Sequence, residues 1–394
     1  MTHLSIPLYR LLRWVKIQRK SGSILLDNQQ GEPFPDSLLP LTTEEKNAVI
    51  EYGAQQGLLP FLQYFPEFSM EDVRERFFQY LVGYVYEDSR QTAEIEEILN
   101  AFEKGGIYCI PLKGIVTKRF YPASELRTMG DLDMLYQPEQ TEKLKSVMES
   151  LDYSYEGEAA KHDHYRRNGK VVEMHKELMP VSSRAYRYFQ GSWQRAVPEP
   201  GKKYICQMSS EDHYLFTFYH LLEHFIRGGI GIRMVLDLYI LSGQKELDQD
   251  YVDRKLKELE VSEFYGHLIS LAQSWFGDQP SEENERELEE YIVNGGIFGN
   301  RENDVRNAKV TFHSGKRFLL HTIFPDYHVM KSVFPWLKTP LLLPAAWLLR
   351  FWNVWTKRRQ NIRLQFDIAA QMGKEEKDEI RKRRAFFEKY GLHI

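Results

Sequence analysis

Cysteine is nearly missing from this chain: of 394 residues only two, Cys109 and Cys206, carry a thiol. They stand far apart in apolar or strand-like surroundings, so no disulfide framework organises the fold and reduced, buried thiols are expected. Long apolar runs are missing too. The best stretch, Leu341 to Trp355, is too short to span a bilayer and is broken by Pro344, Arg350 and Asn353. Met1 to Lys20 does not read as a secretory leader, because Arg10, Arg13, Lys16, Arg19 and Lys20 interrupt its apolar positions; a cytoplasmic protein is expected. Positive charge is not in excess: the net charge is −4 and the pI about 6.3, so nothing global points to nucleic acid. Repeats and low-complexity tracts are absent. What remains is 42% hydrophobic and 27% charged, a globular composition long enough for two or three domains.

Against this background one hexapeptide stands out, Gly130-Asp131-Leu132-Asp133-Met134-Leu135. Side chains alternate along a strand, so Asp131 and Asp133 share a face while Leu132 and Met134 point into a core. Two neighbouring carboxylates repel unless a cation neutralises them, and a hard divalent ion is the natural candidate. A strand with one solvated face is the alternative. Upstream, Gly105-Gly106 precedes a β-rich run that ends in Leu112-Lys113-Gly114, and Ile115 to Tyr121 reads as one helical stretch. A strand that ends in glycine and opens a helix lets backbone N–H groups approach phosphates. Downstream, Tyr165 to His175 reads as a β-hairpin turning at Asn168-Gly169, the preferred type I′ pair. Its return strand puts Val172 and Met174 on one face and Glu173 and His175 on the other. A third carboxylate can thus meet the first two across a sheet.

Capping patterns organise the rest. Thr42-Thr43-Glu44-Glu45 opens a helix to about Gln56, and Ser69-Met70-Glu71-Asp72 opens a long one to about Lys104. Thr141 to Leu151 reads as a helix, and Ser182 to Trp193 as an inserted one. From Ser209 onward the chain is mainly helical, with a break at Gly228-Gly229-Ile230-Gly231 and a loop from Gly295 to Asn307. The expected division is a helical segment 1–104, an α/β unit 105–208 and a helical domain 209–394.

The order glycine at a strand-to-helix turn, Asp-x-Asp on a strand, then a lone acid on a later strand resembles the polymerase-β-type nucleotidyltransferase superfamily. The fuller string Leu112-Lys113-Gly114, Tyr121-Pro122, Leu126-Arg127, Gly130-Asp131-Leu132-Asp133 resembles a narrower group, bacterial nucleotidyltransferases of unassigned substrate. A related Lys-Gly-Gly…Arg…Asp-x-Asp layout occurs in abortive-infection nucleotidyltransferase toxins. The resemblance extends to Leu221–Asp237 and 324–350. It implies an α+β fold: a small mixed sheet with helices, flanked by N-terminal helices and a C-terminal helical domain. It also implies a metal-dependent transfer of NMP from an NTP to an acceptor hydroxyl, with pyrophosphate leaving. Asp131, Asp133 and Glu173 would hold Mg²⁺ (or Mn²⁺), Glu173 doubling as base. Gly114 would admit the triphosphate, and Lys113 and Arg127 would contact phosphates. The acceptor is open: a small molecule, a sugar, a protein side chain or an RNA end. The sequence departs from the superfamily at Ile115, where glycine or serine is usual.

Weaker candidates surround this set. His175 could assist Glu173 or a metal. His220 and His224 lie one helical turn apart but lack the Glu that follows the first His of a zincin. Arg233 and Asp237 are spaced as an ion pair on their own helix. Residues 347–359 mix tryptophans with cations, which suits a helix packed on the helical domain, peripheral membrane contact or a nucleic acid. Two rival readings follow: a nucleotide-binding or partner protein that has lost turnover, and a membrane-surface assembly factor.

Overall fold

The structure is a computed structural model. It describes residues 15–20, 23–28 and 41–393, except 160–161, 182, 278, 280–282, 298, 300–302, 304–305, 308–309, 311–319, 321–322, 328–329, 332–333, 335 and 358–375. Most of the leader reading therefore lies outside the described residues, as do Arg358 and Arg359.

The chain is α+β. It opens on an antiparallel pair, β1 (Val15–Lys20) and β2 (Ser23–Asn28), within the segment expected to be helical. Helix α1 (Thr43–Gln55) starts at a reciprocal cap: Glu45 N–H donates to Thr42 Oγ1 at 3.2 Å, and Thr42 N–H donates to Glu45 Oε2 at 2.8 Å. Helix α2 (Glu71–Gly105) ends at Gly106, whose φ of 65° is the left-handed cap that glycine adopts without strain. Next come β3 (Cys109–Pro111), the single-turn α3 (Gly114–Thr117), β4 (Leu132–Tyr136), α4 (Thr141–Ser150), β5 (Ser154–Ala159), β6 (His162–Arg167) and β7 (Lys170–His175). The stretch 115–121 is not one helix, since α3 gives way to a 3-10 turn at Lys118–Phe120. Residues 182–193 likewise yield two short helices, α5 (Tyr186–Gln190) and α6 (Ser192–Arg195), before the short pair β8 (Val197–Pro198) and β9 (Cys206–Gln207). Helices α7 (Ser210–Arg227), α8 (Ile232–Ser242), α9 (Gln249–Glu258), α10 (Ser262–Phe276), α11 (Arg286–Val293), α12 (Leu343–Lys357) and α13 (Glu376–Lys389) follow. In the stretch read as a loop, Asn303, Arg306 and Asn307 are helical.

The five-stranded sheet runs β3-β4-β7-β6-β5, with β4 and β7 parallel and every other pair antiparallel. One face carries Leu132, Met134, Tyr165, Val172 and Met174 into a core with Ile98 and Phe102 of α2 and Leu144 and Met148 of α4. On the other side, Ile110, Leu112 and Leu135 join the larger core built by α1 and α7 to α10. That second face, between the sheet and the C-terminal helices, carries the acids.

No helix among the described residues is long and apolar enough to cross a membrane. Ala346 and Trp347 of α12 pack in a small separate core with Met330 and Leu337. Elsewhere on that helix Leu348 is 70% and Trp352 65% exposed.

Candidate active site

Register brings the acids together. β4 and β7 pair in parallel with Asp133 opposite Glu173, so both carboxylates stand side by side on one face. Asp131 precedes β4 and is exposed, while Asp133 is buried. Partial burial and the neighbouring charges of Glu173 and Asp133 raise the Asp131 pKa. Asp133 goes the other way. Burial alone would raise it, but the Lys113 charge and the hydrogen bond from His175 outweigh that and hold it far below the usual carboxylate range. Lys113 Nζ donates to Asp133 Oδ1 at 2.7 Å, and His175 Nε2 lies 2.8 Å from the same oxygen. His175 Nε2 also reaches Glu173 Oε2 at 3.5 Å. A lysine ammonium and an imidazole thus occupy the acid cluster, which fits a donor set built to face positive charge.

The strand-to-helix turn differs from expectation in which residue bends. Ile115 N–H donates to Leu112 O at 3.2 Å, closing a tight turn, and the positive φ falls on Lys113 (φ 47°, ψ −123°), not on Gly114. A non-glycine residue held there is strained by about 1–3 kcal/mol. The residue so held is the one bonded to Asp133. Gly114 has a packing reason for lacking a side chain: a Cβ there would lie 2.7 Å from both Cγ and Sδ of Met129. Gly114→Ala should therefore destabilise the protein by about 1–3 kcal/mol, and Met129→Ala in the same chain should restore most of the loss in a denaturant titration. NTP affinity that stays low in that double variant would instead mark a position of close phosphate approach.

The loop before Asp131 is tied down on both sides. Arg127 grips Asp237 of α8 through Nε and Nη2 at 2.7 and 2.8 Å, and Tyr121 Oη adds a third bond to Asp237 at 2.7 Å. Arg233 Nη1 donates to both oxygens of Thr128 at 3.0 Å, and Gln91 of α2 donates to Met129 O at 3.2 Å. Asp237 is thus engaged across the loop by Arg127, where the sequence suggested a pair with Arg233 inside the helix and, for Arg127, a phosphate. All three side chains are buried. Burial and the charge of Arg127 push the Arg233 pKa down to about 9.

His220 and His224 of α7, their rings 4.5 Å apart, lie near enough to the acid cluster to feel the charges of Lys113 and Asp133. Burial, then the Lys113 charge, depresses both, His224 to about 4. Burial also pushes His213, whose Nε2 lies 3.2 Å from Thr117 Oγ1, down to about 4. Imidazoles that are neutral in the fold but protonate near pH 6.5 when unfolded stabilise it fully above that pH, and the stability is lost as pH falls toward 4. His175 has a raised pKa, because its bonds to Asp133 and Glu173 outweigh burial, so it contributes in the opposite sense: fully below pH 6.5 and less as pH rises through its folded value. Denaturant midpoints should fall between pH 6.5 and 4, and His213→Gln should flatten that slope. A midpoint that rises with acidification contradicts the assignment.

Two further residues were missed by sequence reasoning. The hairpin starts at His162, not Tyr165, and its register sets His162 opposite His175 and His164 opposite Glu173. The signal was present: His162-x-His164 mirrors Glu173-x-His175 about the Asn168-Gly169 turn, whose φ values of 50° and 79° are both positive as type I′ requires.

No curated protein sequence matches the chain. Among solved structures, the solution structure of the antibiotic-resistance factor ANT(2'')-Ia is similar over 47% of this chain and 96% of that one, at 14% identity and a TM-score of 0.34. The family model described as "Uncharacterised nucleotidyltransferase" matches residues 43–277, a span that holds the sheet, the acid cluster and the helices facing it, and the chain belongs to that family.

Proposed function

We propose that the chain is a metal-dependent nucleotidyltransferase that moves an NMP from an NTP to an acceptor hydroxyl. One observation supports the reading beyond family membership: Asp133 and Glu173 share one sheet face, Asp131 is near enough for their charges to raise its pKa, and Lys113 is bonded to Asp133. The oxygen donors and their mutual repulsion suit a hard divalent ion such as Mg²⁺ or Mn²⁺. When bound, that ion neutralises charge on the reacting phosphate and on the attacking and leaving oxygens. The acceptor oxygen forms a bond to the α-phosphorus, the bond to the bridging oxygen breaks, and pyrophosphate carries away the electron pair. Glu173 takes the acceptor proton, and His175 and His164, at 3.5 and 3.3 Å from its two oxygens, hold that carboxylate in place. Lys113 binds the phosphates in exchange for Asp133. Arg127 acts at one remove, by fixing the loop that carries Asp131.

The acceptor is to be found by incubating cell extract with labelled ATP, GTP, CTP or UTP and Mg²⁺ or Mn²⁺. Label should then appear in one of the protein, RNA or small-molecule fractions, and in none with a Glu173→Gln chain. Label that is independent of Glu173 would return the chain to the rival reading of a binding protein without turnover.

A further inference from the structure

We propose that His162, Glu173 and His175 form a cation site that shares Glu173 with the acid cluster, takes that carboxylate as a ligand in place of its role as base, and is selective for a borderline transition ion such as Zn²⁺ over Mg²⁺. One ligand atom from each of the three lies within 4.8 Å of the others. Glu173 Oε1 is 3.6 Å from His162 Nε2, and Glu173 Oε2 is 3.5 Å from His175 Nε2. Donors around a tetrahedral ion with bonds of roughly 2.0–2.2 Å stand about 3.3 Å apart. The two Glu173–histidine distances are near that value; to close on an ion the widest pair has to draw in by up to about 1.5 Å, and His175 Nε2 has to exchange its 2.8 Å bond to Asp133 for the ion. Two strands fix it: the β6–β7 register sets His162 directly across from His175, and their rings are 4.9 Å apart.

His162 Nδ1 has no hydrogen-bond partner among the described residues, so no bond on that side of the ring opposes a small turn of the imidazole toward an ion at Nε2. His164 lies outside the triad, with Nε2 3.3 Å from Glu173 Oε1, the place of an outer partner that orients a ligating carboxylate. Ligand chemistry sets the preference. Mg²⁺ takes oxygen donors, as Asp131 and Asp133 offer, whereas imidazole nitrogen suits Zn²⁺ and its neighbours in the transition series. Two imidazoles and one carboxylate leave the fourth position of a tetrahedron open, beside Asp133, to water or a substrate oxygen. The site rests on the hairpin alone: a chain that holds Zn²⁺ there and transfers nothing keeps this inference and loses the transfer reading.

The test is calorimetric titration of Zn²⁺ alone into the full chain, in buffer with excess Mg²⁺ and no nucleotide. One Zn²⁺ per chain is expected. His162→Ala and His175→Ala should each weaken it by about a hundredfold or more and His164→Ala by about tenfold. Asp131→Asn removes a neighbouring charge but no ligand of this site, so it should weaken Zn²⁺ far less than either histidine variant, by less than about tenfold. Melting curves without metal check that each variant folds, and His162→Gln replaces the alanine variant if that one does not. Displacement of Zn²⁺ by Mg²⁺, affinity indifferent to the His162 substitution, or an equal loss in Asp131→Asn overturns the proposal.

Discussion

Asp133→Asn is expected to reduce nucleotidyl transfer by about a thousandfold or more, roughly 4 kcal/mol of barrier. The side chain is buried and its carboxylate is kept ionised by Lys113 and His175. It is therefore a fixed negative charge at every pH above the ordinary carboxylate range. Asn has nearly the same shape but neither the charge nor the second acceptor oxygen, so the cluster loses its most strongly anionic member. The variant also leaves Lys113 and His175 without their shared partner. A loss of folding is separated from a loss of chemistry by melting curves, and by Mn²⁺ titration of the folded variant. Transfer that survives in a folded Asp133→Asn chain removes the acid cluster from the reaction.

The second large effect is on stability. Arg127→Ala should destabilise the protein by about 3–5 kcal/mol, because it strands a buried carboxylate. The Arg127 and Asp237 side chains are 9% and 6% exposed, and the contact is two-pronged. Asp237→Ala should be worse still. It leaves Arg127 facing Arg233, whose pKa Arg127 already depresses and Asp237 supports. A double-mutant cycle by urea denaturation measures the coupling. Titration of an NTP and the matching nucleoside then divides the two roles of Arg127. Equal losses for both ligands mark the arginine as an anchor of the loop, and a loss confined to the NTP marks it as a phosphate contact. The geometry favours the first outcome, since both prongs of the guanidinium are spent on Asp237.

Much of this protein was determined locally. The Thr42–Glu45 cap, the glycine stop at Gly106 and the Asn168-Gly169 turn each act within a few residues, and the elements begin and end where those residues stand. Alternation along β4 and β7 likewise set which side chains share a face: Leu132 and Met134 went to one core, Asp133 and Glu173 to the other side. Tertiary structure decided what those faces meet. Whether Asp133 lies beside Glu173 depends on the parallel pairing of two strands that are distant in sequence, which no local rule fixes. The partner of Asp237 is another such case. Helical spacing offered Arg233, but packing α8 against the 121–131 loop brought Arg127 into a better, two-pronged geometry in a site too dry to leave either charge alone. The bend at Lys113 is the third. Local preference would put the left-handed residue at Gly114. The lysine takes it instead, with its ammonium bonded to Asp133, while Met129 fills the space over the glycine.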